Sequence, residues 1–269
     1  MGIVNVTPDS FSDGGLWLDP AAAIAHGVLL QSEGAAIVDV GGESTRPGAE
    51  PVSEEEEIRR VQPVVEGLAS SLSGATISID TAKASVAAAA LAAGATLVND
   101  VTALAGDPEM ASVVASAGCD VCLMHMQGEP RTMQANPSYG DVVSDVKAFL
   151  EARMAAAVAA GVSEERIILD PGIGFGKTVN HNLELISRLS EIAALGRPVL
   201  LGTSRKRFIG AVTGADTADR LPGSLASAVL GLERGATIFR VHDVAPTLAA
   251  LRLAAASLRP SEWKPEGEF

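Results

Sequence analysis

Short apolar runs rich in β-branched residues alternate along the chain with longer, Ala-rich stretches of helical character. Each run is continuously apolar rather than alternating in polarity, which is typical of parallel strands that are covered on both faces. The predicted strands are Gly2–Val6, Ala35–Val40, Thr76–Ile79, Thr96–Val98, Val121–Met124, Ile167–Leu169, Val199–Gly202 and Thr237–Val241. The clearest helical stretches are Pro20–Glu33, Ser53–Leu72, Ala82–Ala93, Pro108–Ala117, Asp141–Ala160, Leu183–Leu195, Thr217–Arg234 and Ala245–Leu258.

Eight strand-then-helix units predict an α/β protein whose architecture is a (β/α)8 TIM barrel. A doubly wound open sheet would show the same alternation and is the alternative. The chain has 269 residues, a length that single barrels commonly reach, and no low-complexity linker divides it. We therefore predict one barrel domain over residues 1–259, followed at 260–269 by a polar, proline-containing tail that is disordered.

Composition narrows the class of protein. Hydrophobic residues make up 47% of the chain and charged residues 20%, which is an ordinary globular balance. The formal net charge of −13 argues against a nucleic-acid partner, because non-specific binding to nucleic acid needs a basic face. No signal-peptide pattern opens the sequence, and no apolar stretch reaches the length of about 18 residues that a membrane helix needs. We therefore expect a cytoplasmic protein with no membrane partner.

The two cysteines, Cys119 and Cys122, have the spacing of a metal or redox pair. However, the residues from Asp120 to Met124 read as a strand, and residues three apart on a strand point to opposite faces. We therefore interpret both as buried thiols.

Polar residues follow every predicted strand, which is where a barrel builds its active site. They are Asn5 with Thr7–Gly15, Gly41–Gly48, Asp80, Asn99-Asp100, His125, Asp170–Gly172, Ser204–Lys206 and Arg240–Asp243. Three adjacent cations, Arg205–Arg207, stand where a buried strand ends and a helix should begin, a natural anion site. Against the negative background, they indicate a site for a small anionic molecule.

Two other features have simpler interpretations. Gly172–Thr178 resembles a phosphate-binding P-loop, but that motif needs a glycine where Pro171 stands, so we interpret the segment as a loop lining a ligand cleft. Glu54–Glu57 is read as a solvated acidic first helical turn after the capping residue Ser53.

The polar loops carry a specific resemblance. Asn5–Gly15 and Gly42–Gly48 closely resemble the two signature loops of the dihydropteroate synthase family. Five further segments are similar to the remaining family motifs and occur in the family's order. They are Ser78–Thr81, Asn99-Asp100, Asp170–Lys177, Ser204–Lys206 and Arg240–Asp243. The resemblance implies a TIM barrel that is usually a homodimer. It also implies a transferase of folate biosynthesis, of the kind that sulfonamides inhibit. It would join 4-aminobenzoate to (7,8-dihydropterin-6-yl)methyl diphosphate, releasing diphosphate and 7,8-dihydropteroate, with Mg²⁺ as cofactor.

The resemblance also implies roles for single residues at the pterin. Asp170 would pair its carboxylate with the adjacent N–H and amino group of the ring, as a carboxylate pairs with a guanidinium. Asp80 and Asn99 would satisfy other ring edges, and Lys206 would reach the acceptor side.

Further roles concern the other ligands. Asn5, Arg240 and His242 match the family's diphosphate-binding residues, with Mg²⁺ at Asn5. The second loop is matched by Thr45 and Arg46. The aminobenzoate pocket is matched by Ser204 and Arg205, with Phe175 as an apolar wall and Pro47 closing over the ring. The residues expected to be catalytic are Arg46, Asp80, Asp170, Lys206, Arg240 and His242.

The implied mechanism is a dissociative substitution, in which the C–O bond to diphosphate breaks early and the amine of 4-aminobenzoate then attacks. Two other functions remain open. A corrinoid methyltransferase that uses methyltetrahydrofolate shares the pterin-binding barrel, but would need neither the first loop nor Ser204–Lys206. A non-catalytic pterin-binding homologue should lack diphosphate-binding or loop residues, and the sequence retains them.

Overall fold

The computed structural model describes residues 1–7, 19–44, 50–129 and 132–264. These residues form eight strands that alternate with helices. The strands are β1 (Gly2–Asn5), β2 (Ile37–Gly41), β3 (Thr76–Asp80), β4 (Leu97–Asp100), β5 (Asp120–Met124), β6 (Ile167–Asp170), β7 (Leu200–Leu201) and β8 (Ile238–Phe239). The order of elements follows the predicted one, and the ladders of β7 and β8 are shorter than the apolar runs that predict them.

The described helices differ from the predicted ones mainly between β6 and β8. They are α1 (Pro20–Ser32), α2 (Glu54–Ser71), α3 (Ala84–Ala93), α4 (Met110–Ala117), α5 (Val142–Ala159), α6 (Val179–Ser187), α7 (Leu189–Ala193), α8 (Arg207–Thr213), α9 (Leu221–Glu233) and α10 (Val244–Leu258), with short 3-10 turns at Glu164–Arg166 and Thr217–Asp219. The single predicted helix Leu183–Leu195 is two helices that meet at Arg188. The short helix α8 begins directly after Lys206, as the position of the three cations predicts.

The sheet closes on itself. Strands β1 to β6 pair in parallel in chain order, and β7 pairs with β8. Parallel bridges join Leu169 to Val199 and Gly2 to Val241, so that β6 meets the start of β7 and the chain beyond β8 meets β1. The predicted TIM barrel is therefore confirmed, and the open-sheet alternative is wrong.

The interior of the barrel has an apolar end and a polar end. Residues paired in register on parallel strands face the same side, and side chains two apart share a face. A separate apolar cluster fills the amino-terminal end of the barrel: Leu97, Cys122, Ile168 and Leu200, packed against Met1, Ile37 and Ile238. Two residues further along their strands stand Asp39, Asn99, Asp170 and Arg240. The helices cover the outer face through a much larger apolar core.

Both cysteines are free and buried. Cys119 lies in the core between sheet and helices, whereas Cys122 belongs to the cluster inside the barrel. This separation confirms that the two thiols diverge.

At the carboxyl end, α10 ends at Leu258, and residues 259–264 form turns and irregular chain. Residues 265–269 lie outside the described part, and the predicted disorder of 260–269 stays a prediction. Over the described ranges, no helix combines the length and apolar character needed to cross a membrane.

Candidate active site

A polar layer at the carboxyl end of the barrel brings together side chains from separate strands. The register pairs Asp39 of β2 with Ser78 of β3, and Asp80 of β3 with Asn99 of β4. Asp39 has no exposed surface, and Asn99 is only 4% exposed. Buried polar groups are costly unless they are hydrogen-bonded, so a layer of this kind has to be internally paired or ready to pair with a ligand.

Arg240 lies between two carboxylates in this layer. Its Nε donates a hydrogen bond of 2.6 Å to Asp39, and its Nη2 donates one of 2.7 Å to Asp80. The guanidinium therefore joins the chain just beyond β8 to β2 and β3 across the barrel mouth. The structure thus places Arg240 and Asp80, which the sequence predicts as site residues, in direct contact.

Asp170 ends β6 and is 6% exposed. Its Oδ1 accepts a hydrogen bond of 2.7 Å from the backbone N–H of Gly172. Gly172 has φ +67°, and a Cβ placed there would come within 1.9 Å of the carbonyl oxygen of His125. The tight turn therefore requires glycine, and it fixes one oxygen of the Asp170 carboxylate.

Lys206 reaches from the end of β7 towards the loop after β6. Its Nζ donates to the carbonyl oxygen of Ile173 and stands 4.5 Å from the centroid of the Phe175 ring. An ammonium over an aromatic face is attracted by the ring's electrons. The contact brings together Lys206 and Phe175, two of the predicted site residues.

The charges of this layer shift one another's pKa values. Burial raises the pKa of Asp80 to about 7, with Arg240 opposing the shift and Asp39 adding to it. Burial also raises the pKa of Asp170, whereas the hydrogen bond from the Gly172 N–H and the charge of Lys206 act to lower it. Burial lowers the pKa of Lys206 to about 8 despite the nearby Asp170. For Arg240, Asp39 and Asp80 outweigh the effect of burial and raise the pKa. Clustered shifts of this kind are typical of functional sites.

Ser204 and His242 are joined beyond the ends of β7 and β8. The hydroxyl of Ser204 lies 3.0 Å from Nδ1 of His242 and accepts a hydrogen bond of 3.2 Å from the His242 backbone N–H. The structure thus places these two predicted site residues side by side.

Arg205 has a different environment from the one its predicted role suggests. Its guanidinium forms a two-point contact with Asp243, at 2.9 Å from Nε and 2.5 Å from Nη2. Its backbone is in the left-handed region, with φ +56°, which is uncommon for a non-glycine residue. The backbone N–H donates to Ser224 at 2.9 Å, and the carbonyl accepts from Arg220 at 3.2 Å. A network of hydrogen bonds holds this strained residue in place.

The base of the second signature loop is clamped by Lys83. Its Nζ binds Glu43, near the start of the loop, at 2.5 Å and the carbonyl oxygen of Val52, beyond its end, at 2.8 Å. It also binds Glu57 at 2.6 Å. The predicted site residues on the loop itself, Thr45, Arg46 and Pro47, lie outside the described residues, as does the first loop from residue 8 to 18.

Glu57 corrects one interpretation of the sequence. Ser53 caps α2 as predicted, accepting from the Glu56 N–H at 3.3 Å. Glu57, however, is wholly buried beside Lys83 rather than solvated, and its Oε1 is a buried oxygen without a hydrogen-bond partner. Burial raises the pKa of this carboxyl, while the bond to Lys83 opposes the shift.

Lys177 holds the glycine-rich segment after β6 in place through its hydrogen bonds. Its buried Nζ lies 2.8 Å from Nδ1 of His125 and donates to the carbonyl oxygens of His125, at 3.3 Å, and Phe175, at 3.0 Å. Burial lowers the pKa of Lys177 to about 7 and that of His125 to about 3. The lysine is therefore an internal brace of the loop, unlike a P-loop lysine.

Asp39 is the site residue that the sequence interpretation missed. It stands inside the run Ala35–Val40, which reads as an ordinary buried strand. A single charged residue inside such a run was the available signal, because carboxylates are almost never fully buried unless they are paired.

Asn5 ends β1 at the same mouth and pairs in register with Gly41. In the described part of the chain, no three His, Cys, Asp or Glu side chains are grouped as a metal site of their own would require. Mg²⁺ is usually held by one or two protein oxygens together with substrate phosphates and water. The amide oxygen of Asn5 therefore fits a magnesium ion that is held largely by a phosphorylated substrate.

Known proteins match this chain over most of its length. The family model described as pterin binding enzyme matches residues 1–242. The dihydropteroate synthase of Escherichia coli K12 is 47% identical over 264 residues, covering 98% of this chain and 93% of the relative.

Solved structures agree with this result. Yersinia pestis dihydropteroate synthase in complex with a sulfonamide drug has a TM-score of 0.93 and 45% identity, covering 96% of this chain and 93% of that one. Xanthomonas albilineans dihydropteroate synthase with 4-aminobenzoic acid has a TM-score of 0.89 and 48% identity, covering 96% and 92%. With these matches and the polar barrel mouth together, the chain belongs to the dihydropteroate synthase family of pterin-binding enzymes, which are transferases.

Proposed function

We propose that the barrel mouth condenses 4-aminobenzoate with (7,8-dihydropterin-6-yl)methyl diphosphate, giving 7,8-dihydropteroate and diphosphate in folate biosynthesis. The observation that carries this assignment is the cluster of Asp80, Asn99, Asp170, Lys206 and Arg240 in a chain of this family, of which Asn99 and Asp170 are buried and the other three half-buried. It combines hydrogen-bonding groups for a polar ring with cations for a diphosphate.

The pterin binds against Asp170, Asn99 and Lys206. One Asp170 oxygen is committed to the Gly172 N–H, and the carboxylate presents its remaining acceptor positions to the adjacent N–H and amino groups of the ring. Asn99 and Asp80 face neighbouring ring edges, and the Lys206 ammonium donates to the acceptor side. A ligand that pairs with these groups repays the cost of burying them.

The diphosphate binds against Arg240, His242 and Asn5. Arg240 supplies a permanent positive charge, and His242, held beside Ser204, supplies a ring nitrogen. A magnesium ion at Asn5, bound with the substrate, would neutralise part of the diphosphate charge. We propose it as the cofactor on the donor chemistry of Asn5.

4-Aminobenzoate binds beyond the methylene group of the pterin. Phe175 offers an apolar wall, and Ser204 and Arg205 offer donors for the carboxylate. Thr45, Arg46 and Pro47 complete this pocket on the sequence pattern alone. In support of this arrangement, the Lys206 ammonium stands 4.5 Å from the centroid of the Phe175 ring, so the residue proposed for the pterin neighbours the residue proposed for the aminobenzoate wall.

The reaction exchanges one bond for another. The bond from the methylene carbon to the diphosphate oxygen breaks with its electron pair leaving on the oxygen, and the ring delocalises the resulting cation. The amine nitrogen then bonds to that carbon and loses a proton. Arg240 and His242 stabilise the charge that develops on the leaving oxygen, which is worth most where water is excluded. A dissociative path needs no protein nucleophile.

One assay tests the function. Purified protein with Mg²⁺ is given the pterin diphosphate with and without 4-aminobenzoate, and both diphosphate release and 7,8-dihydropteroate are measured. Equal amounts of the two products, only when both substrates are present, are expected. Methyl transfer from methyltetrahydrofolate to a corrinoid, without dihydropteroate, would identify the methyltransferase alternative. Pterin binding with no turnover would identify a non-catalytic homologue.

A homodimer in the cytoplasm completes the proposal. Leucines stand exposed on adjacent helices, Leu230 of α9 by 42% and Leu253 of α10 by 71%. Exposed apolar side chains on helices that pack against each other favour association with a second copy, and a two-fold dimer uses the same face twice. Sedimentation equilibrium is expected to give twice the chain mass, and Leu253→Glu should shift the balance towards the monomer.

A further inference from the structure

Asp39 lies in the site without reaching its surface. Its side chain has no exposed fraction, so no substrate can touch it while the barrel is intact. It belongs to β2, one strand away from β1 and from β3, and faces the interior beside Ser78. A buried carboxylate in the middle of an otherwise apolar strand is costly unless its oxygens are satisfied.

Three side chains satisfy it. The hydroxyl of Ser78 donates to Oδ1 at 2.6 Å, while Arg240 Nε donates to Oδ2 at 2.6 Å. The amide nitrogen of Asn99 donates to the same Oδ2 at 3.3 Å. Asp39 therefore contacts one residue that the proposed function assigns to the diphosphate and one that it assigns to the pterin.

The contact with Arg240 fixes the plane of its guanidinium. Asp39 holds Nε and Asp80 holds Nη2, so rotation of the planar group breaks a hydrogen bond on both β2 and β3. Of the two carboxylates, Asp80 has a side chain that is 11% exposed and can turn to a ligand, whereas Asp39 is closed off. If Asp80 turns to the pterin as the proposed function requires, Asp39 is the carboxylate that still holds Arg240.

The contact with Asn99 fixes which way its amide points. With the amide nitrogen directed at Asp39, the amide oxygen is directed elsewhere and remains an acceptor for a ligand N–H. The Ser78 hydroxyl prevents the carboxylate from rotating away from both partners.

We propose that Asp39 is a positioning residue for the transferase reaction, which acts through Arg240 and Asn99 to hold them ready for the pterin diphosphate. This inference rests on the proposed function. It concerns one substrate only, because Ser204 and Arg205 are held by His242 and Asp243 instead. The expected signature is therefore a selective loss towards the pterin diphosphate.

Asp39→Asn tests it with little change of shape. The amide keeps an acceptor for one partner but loses the charge. We expect kcat/KM for the pterin diphosphate to fall about tenfold or more, since hydrogen bonds to charged groups are the strong ones. The aminobenzoate KM should stay within about twofold, a difference too small to report a lost contact. Affinity for the pterin diphosphate, measured calorimetrically without 4-aminobenzoate, should fall in parallel.

Asp100→Asn is the matched control. Asp100 is equally buried and lies on β4 next to Asn99, but its oxygens accept from Thr102 and Leu104. This variant should lose stability while keeping kcat/KM within about twofold, since it leaves the pterin contacts intact. The same selective kinetic loss in Asp100→Asn would overturn the proposal, as would an equal loss towards both substrates in Asp39→Asn.

A double variant asks whether Asp39 acts through Arg240. In an Arg240→Gln background, Asp39→Asn should reduce kcat/KM by about threefold or less, the part due to Asn99, rather than by its full single-variant factor. The double variant should also be more stable than Arg240→Gln alone, because the charge of Asp39 is then no longer buried without its cation. Fully multiplicative kinetic losses would overturn the proposed route.

If Asp39→Asn does not fold, Ser78→Ala tests whether the orientation of the Asp39 carboxylate matters for the reaction. It removes one of the three bonds that orient the carboxylate and keeps its charge. A selective loss of about threefold or more towards the pterin diphosphate is expected, and an unchanged kcat/KM would overturn the proposal. The assay of the wild-type protein distinguishes failure of the proposed function from failure of this inference. Wild type that makes no dihydropteroate would refute the proposed function. Calorimetry would still show whether Asp39 affects binding of the pterin diphosphate.

Discussion

The Lys206 ammonium nitrogen stands 4.5 Å from the centroid of the Phe175 ring. This contact joins the end of β7 to the loop after β6, and it lies where the two proposed substrate pockets meet. The same ammonium donates to the Ile173 carbonyl and lies close enough to Asp170 for the carboxylate to raise its pKa. One side chain thus links Asp170, the carboxylate proposed to bind the pterin, to Phe175, the proposed aminobenzoate wall.

The first prediction concerns the pH dependence of pterin binding. Burial lowers the pKa of Lys206 to about 8, and its donated hydrogen bond requires the proton. Affinity should therefore fall above pH 8, by about tenfold per pH unit. Calorimetric titration of a dihydropterin from about pH 6 to 10 measures this dependence.

Lys206→Arg is the control, because arginine keeps its charge over this range. The alkaline fall should disappear in this variant, although its absolute affinity is reduced. Any titration of the ligand itself is common to both proteins. A fall at the same pH in Lys206→Arg would show that another group is responsible.

The second prediction is that Asp170→Asn nearly abolishes pterin binding. Where the carboxylate accepts from the ring, the amide turns an NH₂ group towards ligand donors, and an unpaired buried donor costs about 1–3 kcal/mol or more. The Gly172 N–H can still be satisfied by the amide oxygen, so the fold should survive. Calorimetry with a pterin checks this. Affinity within about threefold of wild type would refute the role of Asp170.

The order and type of the strands were predictable because each is an apolar run buried on both faces. Closure of the barrel was predicted from the count of eight strand-then-helix units, although the same pattern also fits an open sheet, because closure depends on contacts such as Gly2 with Val241, which are far apart in sequence. The break between α6 and α7 was missed. Arg188 stands there and binds Asp141, Glu184 and Glu191, and Asp141 belongs to a different helix cap.

The site was predictable where chemistry follows a strand, because a barrel gathers strand ends at one mouth. Asp170, Asp80 and Arg240 come together as that rule requires. The rule that site residues follow a strand does not find Asp39 or Glu57. One lies inside a strand and the other on a helix with three exposed or half-exposed acidic neighbours, so only tertiary pairing reveals that both are buried.

The third prediction concerns stability. Lys83→Met leaves the wholly buried Glu57 without its cation. Breaking a buried pair costs about 3–5 kcal/mol, and because Glu57 can take up a proton we expect the lower end, about 3 kcal/mol. Removal of the lysine raises the pKa of Glu57 further, so the loss should shrink as the pH falls. Urea denaturation at about pH 5.5 and 8 measures both effects.

Lys83→Met combined with Glu57→Gln is the matched test of that mechanism. The double variant should recover much of the lost free energy of unfolding and show little pH dependence. A double variant less stable than Lys83→Met would mean that the lysine acts mainly through Glu43 and Val52.

The fourth prediction is that Asp243→Asn weakens 4-aminobenzoate binding. It removes the charge from the two-point contact that orients Arg205. Because the pair is partly exposed, we expect a cost of about 1 kcal/mol, or a roughly fivefold rise in the aminobenzoate KM. Glu191→Gln, which weakens the remote pair with Arg188, should leave this constant unchanged. An equal rise in both variants would refute the link between Asp243 and the pocket.

The last prediction is that sulfonamides compete with 4-aminobenzoate. They imitate its ring, its amine and its anionic end, so they should occupy the pocket of Phe175, Ser204 and Arg205. Steady-state inhibition by sulfamethoxazole at several 4-aminobenzoate concentrations checks this. The apparent inhibition constant should rise in proportion to the aminobenzoate concentration. Inhibition that extra 4-aminobenzoate does not relieve would refute a shared pocket.

The variant Phe175→Leu makes the test more specific. If both molecules lie against that ring, the aminobenzoate KM and the inhibition constant should rise together, with a ratio steady within about threefold.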